Sequence, residues 1–176
     1  MVSSDLVPGV ARTLTYRVRA RDLVNTLFPG SSEFARKPAV LATGILVALC
    51  EWPAMDALRQ FIGDDEDSLG TRISLSHQAP VCVGTKLTVT AQCASVADRV
   101  SRWDVCARDE TRTVACGWVE FAVVRTVTFL ERHALKPAES TAIRSFRYQP
   151  SWEHVRGDRN PVIACGTGKS RSMART

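Results

Sequence analysis

The chain has 176 residues, 45% apolar and 23% charged, with a net charge of +5 and six cysteines. That is enough for one domain with a real core, in the proportions of an ordinary globular protein. The cysteines form no C-x-x-C pair, which excludes a zinc ribbon or a thioredoxin-like site; they read as small buried hydrophobes of a reducing compartment.

The charge is uneven. Residues 132–176 hold nine Lys/Arg against three Asp/Glu, or +6, and residues 1–131 hold fourteen against fifteen, or −1. A basic tail either tethers the chain to an anionic partner such as nucleic acid or is simply solvated, and the solvated tail is the expectation. The N-terminal MVSSDLVPG lacks a charged segment followed by an apolar one, so a cytoplasmic location is expected.

In chain order, residues 11–20 alternate Leu14, Tyr16 and Val18 with Thr13, Thr15, Arg17 and Arg19, the pattern of a half-buried strand. Residues 21–29 predict a short helical turn. Pro29-Gly30 ends it, and Ser31, Ser32 or Glu33 begins another. Pro38 to Ile62 is apolar on nearly every side and predicts one long, buried central helix, kinked at Pro53. Glu51, Asp56 and Arg59 interrupt the run, so it does not span a bilayer. The acidic run 64–67 predicts a solvated loop.

Period-two alternation follows. It predicts strands over 71–79 (Ile73, Leu75 and His77 on the core face), 86–97, 99–108 and 112–129, joined as an antiparallel meander. From about 132 the pattern dissolves, and residues 132–176 are expected to be a largely disordered appendage to a single domain over 1–131. An antiparallel sheet wrapped around one long helix is an α+β class, the hotdog arrangement. One helix under-covers such a sheet, so a dimer is expected.

Three polar residues stand out. Thr43 begins the long helix, where a hydroxyl either caps it or lies beside free backbone N–H groups that hold an oxyanion. Glu51 sits among Leu49, Cys50 and Trp52, where burial raises a carboxyl pKa. It is either a paired structural carboxylate or a functional one. His77 shares the core face of its strand, as a satisfied core histidine or as a base. Together the three make a possible nucleophile, base and orienting acid. Thr43 and Glu51 lie about 12 Å apart along a helix, so they meet only if Glu51 of one subunit serves Thr43 of another.

The stretches LFPGSSEFARKPAVLATG (27–44), ALCEW (48–52), SLGTRISLSH (68–77) and VGTKLTVTA (83–91) give residues 7–130 a resemblance to the fluoroacetyl-coenzyme A thioesterase family of hotdog homodimers. The resemblance implies hydrolysis of a small acyl-coenzyme A thioester, with coenzyme A as part of the substrate and no separate cofactor or metal. It implies catalytic roles for Thr43, Glu51 and His77. It implies substrate contacts at Gly44 and Gly70, and from the apolar Val24, Leu27 and Phe34 of a lid. Two positions depart from the pattern. Phe121, after Glu120, stands where the family carries Arg, and Lys37 stands where it carries a second lid Phe; a lid cation admits water or meets phosphate. A general short-chain thioesterase is therefore expected rather than a fluoroacetate-specific one. The alternative is a non-catalytic hotdog module that binds acyl-coenzyme A or a protein partner. Neither membrane nor nucleic-acid binding is expected.

Overall fold

The computed structural model describes residues 2–134. The expectation of a disordered tail falls almost wholly outside them.

Strand β1 (Ala11–Arg17) opens the fold, followed by two short 3-10 turns at Ala20–Asp22 and Val24–Thr26. Helix α1 (Ser32–Ala35) is capped by Ser31, whose side chain accepts the Phe34 N–H. The long helix α2 (Thr43–Leu58) comes next. Then come β2 (Glu66–His77), β3 (Lys86–Ala97), β4 (Val100–Arg108), β5 (Thr113–Arg125) and the short α3 (Thr126–Arg132). The five strands form one antiparallel sheet in the order β1-β3-β4-β5-β2. This corrects the expected meander. Strands β3, β4 and β5 are consecutive neighbours, but β2 pairs with β5 and the segment 78–85 carries the chain across to β3.

Alternation on β3 and β4 puts Leu87, Val89, Ala91, Trp103, Val105 and Ala107 on the inner face, where α2 covers them. Trp103 is fully buried, and its indole N–H donates to Ser101 Oγ at 3.0 Å, so the large apolar ring leaves no unpaired donor. Helix α2 is continuous through Pro53. It buries Leu46, Leu49, Cys50, Pro53, Ala54, Ala57 and Leu58, which recur every three or four residues as one stripe. Its other face, with Gly44, Ala48 and Met55, is exposed. The expectation of a helix buried all round therefore fails in a single copy. Its sequence is apolar on both sides, and only one side has a neighbour.

Strand β2 differs from its prediction in three ways. It starts at Glu66, inside the acidic run expected to be a solvated loop; Glu66 is buried and accepts the Gly63 N–H at 3.2 Å. It is an edge strand, and Ile73, expected on a core face, is 41% exposed because α2 lies toward the β1–β3 side. Its pairing with β5 also slips between Gly70 and Arg72. The predicted long last strand ends at Arg125 rather than Phe129. The Thr126 N–H bonds the Asp65 carbonyl at 3.0 Å, and beyond it β2 offers nothing to pair with, so the chain turns helical. Of the described cysteines Cys50 and Cys93 are buried, Cys82 is exposed and none is disulfide-bonded. No described helix is long and apolar enough to cross a membrane. Among the described residues, no group of three or more His, Cys, Asp or Glu could hold a metal.

Candidate active site

Thr43 is fixed from both sides of the chain. The Leu41 N–H donates to the Val81 carbonyl at 2.8 Å and the Ala42 N–H to the Asp22 carbonyl at 2.9 Å, and the Leu46 N–H then starts α2 on the Ala42 carbonyl at 2.9 Å. Asp22 is a buried anchor in turn. Its carboxylate accepts the Tyr16 hydroxyl at 2.7 Å and the Arg19 N–H at 2.8 Å. Burial, and then the bond to Asp22, pushes the Tyr16 phenol up to about 12.

Ala42 is the N-cap and Thr43 the first helical residue, so the Thr43 side chain does not cap the helix. It reaches His77 instead, with Oγ1 and Nδ1 3.0 Å apart. His77 is the last residue of β2, and its Nε2 lies 3.1 Å from the Ala79 carbonyl oxygen. A carbonyl only accepts, so Nε2 carries the proton, and in the neutral ring Nδ1 is left as the acceptor. The Thr43 hydroxyl therefore donates to His77. Its proton can pass to the imidazole, leaving an oxygen nucleophile at the start of a sixteen-residue helix. The first N–H groups of that helix have no acceptor within it, and apart from the adjoining helix backbone nothing lies within 4 Å of where a Gly44 Cβ would stand.

One cavity of about 330 Å³ joins these groups. Val24, Phe34 and Lys37 line it together with Thr43 and His77. Leu27, the other apolar lid residue expected from the sequence, is not among its walls. Glu51, Gly70 and Phe121 form a second group. A Cβ on Gly70 would stand 2.7 Å from Glu51 Oε1 and 3.9 Å from the Phe121 ring. Phe121 is 1% exposed, a core residue in the single copy. Burial raises the Glu51 carboxyl above its ordinary value, as the sequence led one to expect. Gly70 and His77 are seven residues apart on β2, or about 23 Å. Within one copy, then, Thr43–His77 and Glu51–Gly70 are separate.

Sequence reasoning missed Ala79 and Asp22. Ala79 carried one readable signal, because it precedes Pro80 and is thereby held extended. Asp22 carried none, since its role depends on contacts with residues far along the chain.

A profile of the fluoroacetyl-CoA-specific thioesterases matches residues 18–127. The chain belongs to that family. It is 40% identical over 121 residues, 69% of this chain and 87% of the relative, to a fluoroacetyl-CoA thioesterase of Streptantibioticus cattleyicolor. A solved structure of a fluoroacetyl-CoA thioesterase superposes with a TM-score of 0.72 at 34% identity, covering 76% of this chain and 100% of that one. A variant of such an enzyme, solved with fluoroacetate and CoA, superposes with a TM-score of 0.69 at 36% identity, over 70% and 99% of the two chains. A thioesterase-superfamily protein of Thermus thermophilus, 19% identical with a TM-score of 0.65 over 74% and 94%, shares the hotdog fold.

Proposed function

We propose that this chain hydrolyses short acyl-coenzyme A thioesters to a carboxylate and a free thiol. The observation that carries the proposal is the Thr43–His77 hydrogen bond at the helix start, inside a cavity in a chain of this family. His77 Nδ1 takes a proton from the Thr43 hydroxyl or from water held there. The free N–H groups of the first turn of α2 stabilise the oxyanion formed at the thioester carbonyl. Attack by Thr43 passes through an acyl ester that water then opens; attack by water does not. Mass spectrometry of acid-quenched enzyme tells them apart by an acyl increment on Thr43.

The active form is a homodimer built on β2. Its outer edge is unpaired among the described residues, and beside it lie the exposed Ile73 and Leu69 and the uncovered face of α2. Such an edge invites a second copy. Pairing two β2 strands antiparallel about an axis between Ile73 and Ser74 sets Gly70 of one copy opposite His77 of the other. Glu51, resting on Gly70, then enters the partner's site and orients water or the leaving thiol.

Subunit mixing tests this. Thr43→Ala and Glu51→Ala homodimers should each lose most activity. Mixed, they form heterodimers with one intact site, so activity recovers to about a quarter of wild type. No recovery assigns both residues to one chain and overturns the shared site. Hydrolysis of an acyl-coenzyme A panel, fluoroacetyl and acetyl thioesters included, tests the activity itself. His77→Ala should lose at least about a hundredfold in kcat. Binding without turnover would support a non-catalytic acyl-binding module.

A further inference from the structure

The cavity that ends at Thr43 and His77 is walled largely by apolar side chains, Val24, Phe34 and Leu41 among them, and three ionisable groups face it: His77, Glu33 and Lys37. His77 is engaged by Thr43 and Ala79. Glu33 pairs with Arg36 at the surface, both side chains largely exposed, and the Arg36 Nε–H donates to the Ser32 carbonyl at 3.2 Å. The Lys37 ammonium has no ion pair or side-chain hydrogen bond among the described residues. Its backbone is held, because the Lys37 N–H donates to the Phe34 carbonyl at 3.0 Å and Pro38 follows. The cavity lining thus includes one cation without a carboxylate partner, exposed to solvent, alongside Thr43 and His77. A cation in an apolar wall favours an anionic guest, and a guest lacking the charge gains nothing from it.

We propose that Lys37 selects acyl groups that end in a carboxylate, so that the preferred substrates are monothioesters of short dicarboxylic acids. The inference rests on the thioesterase reading and names its substrate class. Size agrees. A sphere of the cavity's volume, about 330 Å³, is roughly 9 Å across. That is room for a four- or five-carbon acyl group in a space lined by both Thr43 and Lys37. The same ammonium could instead meet a phosphate of coenzyme A, an anion of different origin, and the experiment separates the two.

Charged and uncharged partners of matched length are compared on the full-length protein: succinyl against butyryl, and glutaryl against valeryl, each on coenzyme A and on pantetheine, which has no phosphate. Wild type should favour the carboxylated member by about tenfold in kcat/KM on both carriers. Lys37→Met should bring that ratio to within about twofold, Lys37→Arg should keep it, and Lys37→Glu should reverse it. Equal rates for the paired substrates overturn the inference, as does a preference that Lys37→Met leaves intact. A Lys37→Met loss equal for both acyl types on coenzyme A and absent on pantetheine also overturns it and assigns Lys37 to phosphate. Should no thioester be turned over, the hydrolase reading fails separately. The inference is then decided by equilibrium binding to the His77→Ala protein, where about tenfold tighter binding of the carboxylated thioesters sustains it and equal affinities reject it.

Discussion

Gly70 has no side chain because Glu51 occupies the space where one would be. An Ala Cβ there would stand 2.7 Å from Glu51 Oε1; the carboxylate is the far end of a flexible chain, so it moves and the strand does not. Gly70→Ala should therefore fold normally by circular dichroism yet lose more than about tenfold in kcat/KM, and add no further loss in a Glu51→Ala background. Glu51 itself is held at a cost. Its folded pKa is raised above 4.5 by burial. The fold therefore favours the protonated acid: the contribution is complete below that value and lost as pH rises through the folded pKa. Glu51→Gln should thus melt higher than wild type at pH 7, with the gap closing below pH 4.5, while turnover falls. Tyr16 gives the same sign at the other end of the scale. Its phenol is raised from 10.0 to about 12, so its contribution is complete below pH 10 and disappears as pH climbs through about 12. Tyr16→Phe should remove that alkaline dependence and cost about 1 kcal/mol at neutral pH by leaving the Asp22 carboxylate with only the Arg19 N–H of its two donors.

Among the elements, β2 carries one residue of each half of the site, Gly70 and His77, and among the described residues it joins the sheet only through β5. At Gly117 the two strands come so close that a Cβ would stand 2.9 Å from the Leu75 Cα. Gly117→Ala should therefore lower the urea midpoint sharply, by about 2–4 kcal/mol in stability. The middle strands were legible because their alternation runs over many residues against continuous neighbours, and α2 because its apolar run is too long for a strand; β3 occupies the stretch expected of it, 86–97. The ends of β2 and β5 were not. Glu66 is a strand residue because Gly63 and Arg125 lie beside it, and alternation along 126–129 finds no partner. Thr43 and His77 could be singled out by position, but only the folded chain shows that the Thr43 hydroxyl goes to His77 rather than to its own helix.

For the whole molecule, the proposed pairing of two copies through the uncovered faces of α2 and β2 predicts that stability and turnover depend on concentration. Dilution should lower specific activity and melting temperature together. Ile73→Lys, placing charge on a residue 41% exposed in the single copy, should sediment as a monomer with little activity. The division of labour between elements has a consequence for how such proteins diversify. The reacting groups and Gly70 are bound into helix and sheet, where a new side chain disturbs either backbone pairing or the Glu51 carboxylate. Phe34 and Lys37, by contrast, lie in and just after a four-residue helix outside the hydrogen-bonded sheet. On the proposed role of Lys37, drift at those two positions would change which acyl group is accepted while the chemistry is inherited intact, so paralogues with different tastes would need to differ by only a codon or two in α1 and the residues that follow it.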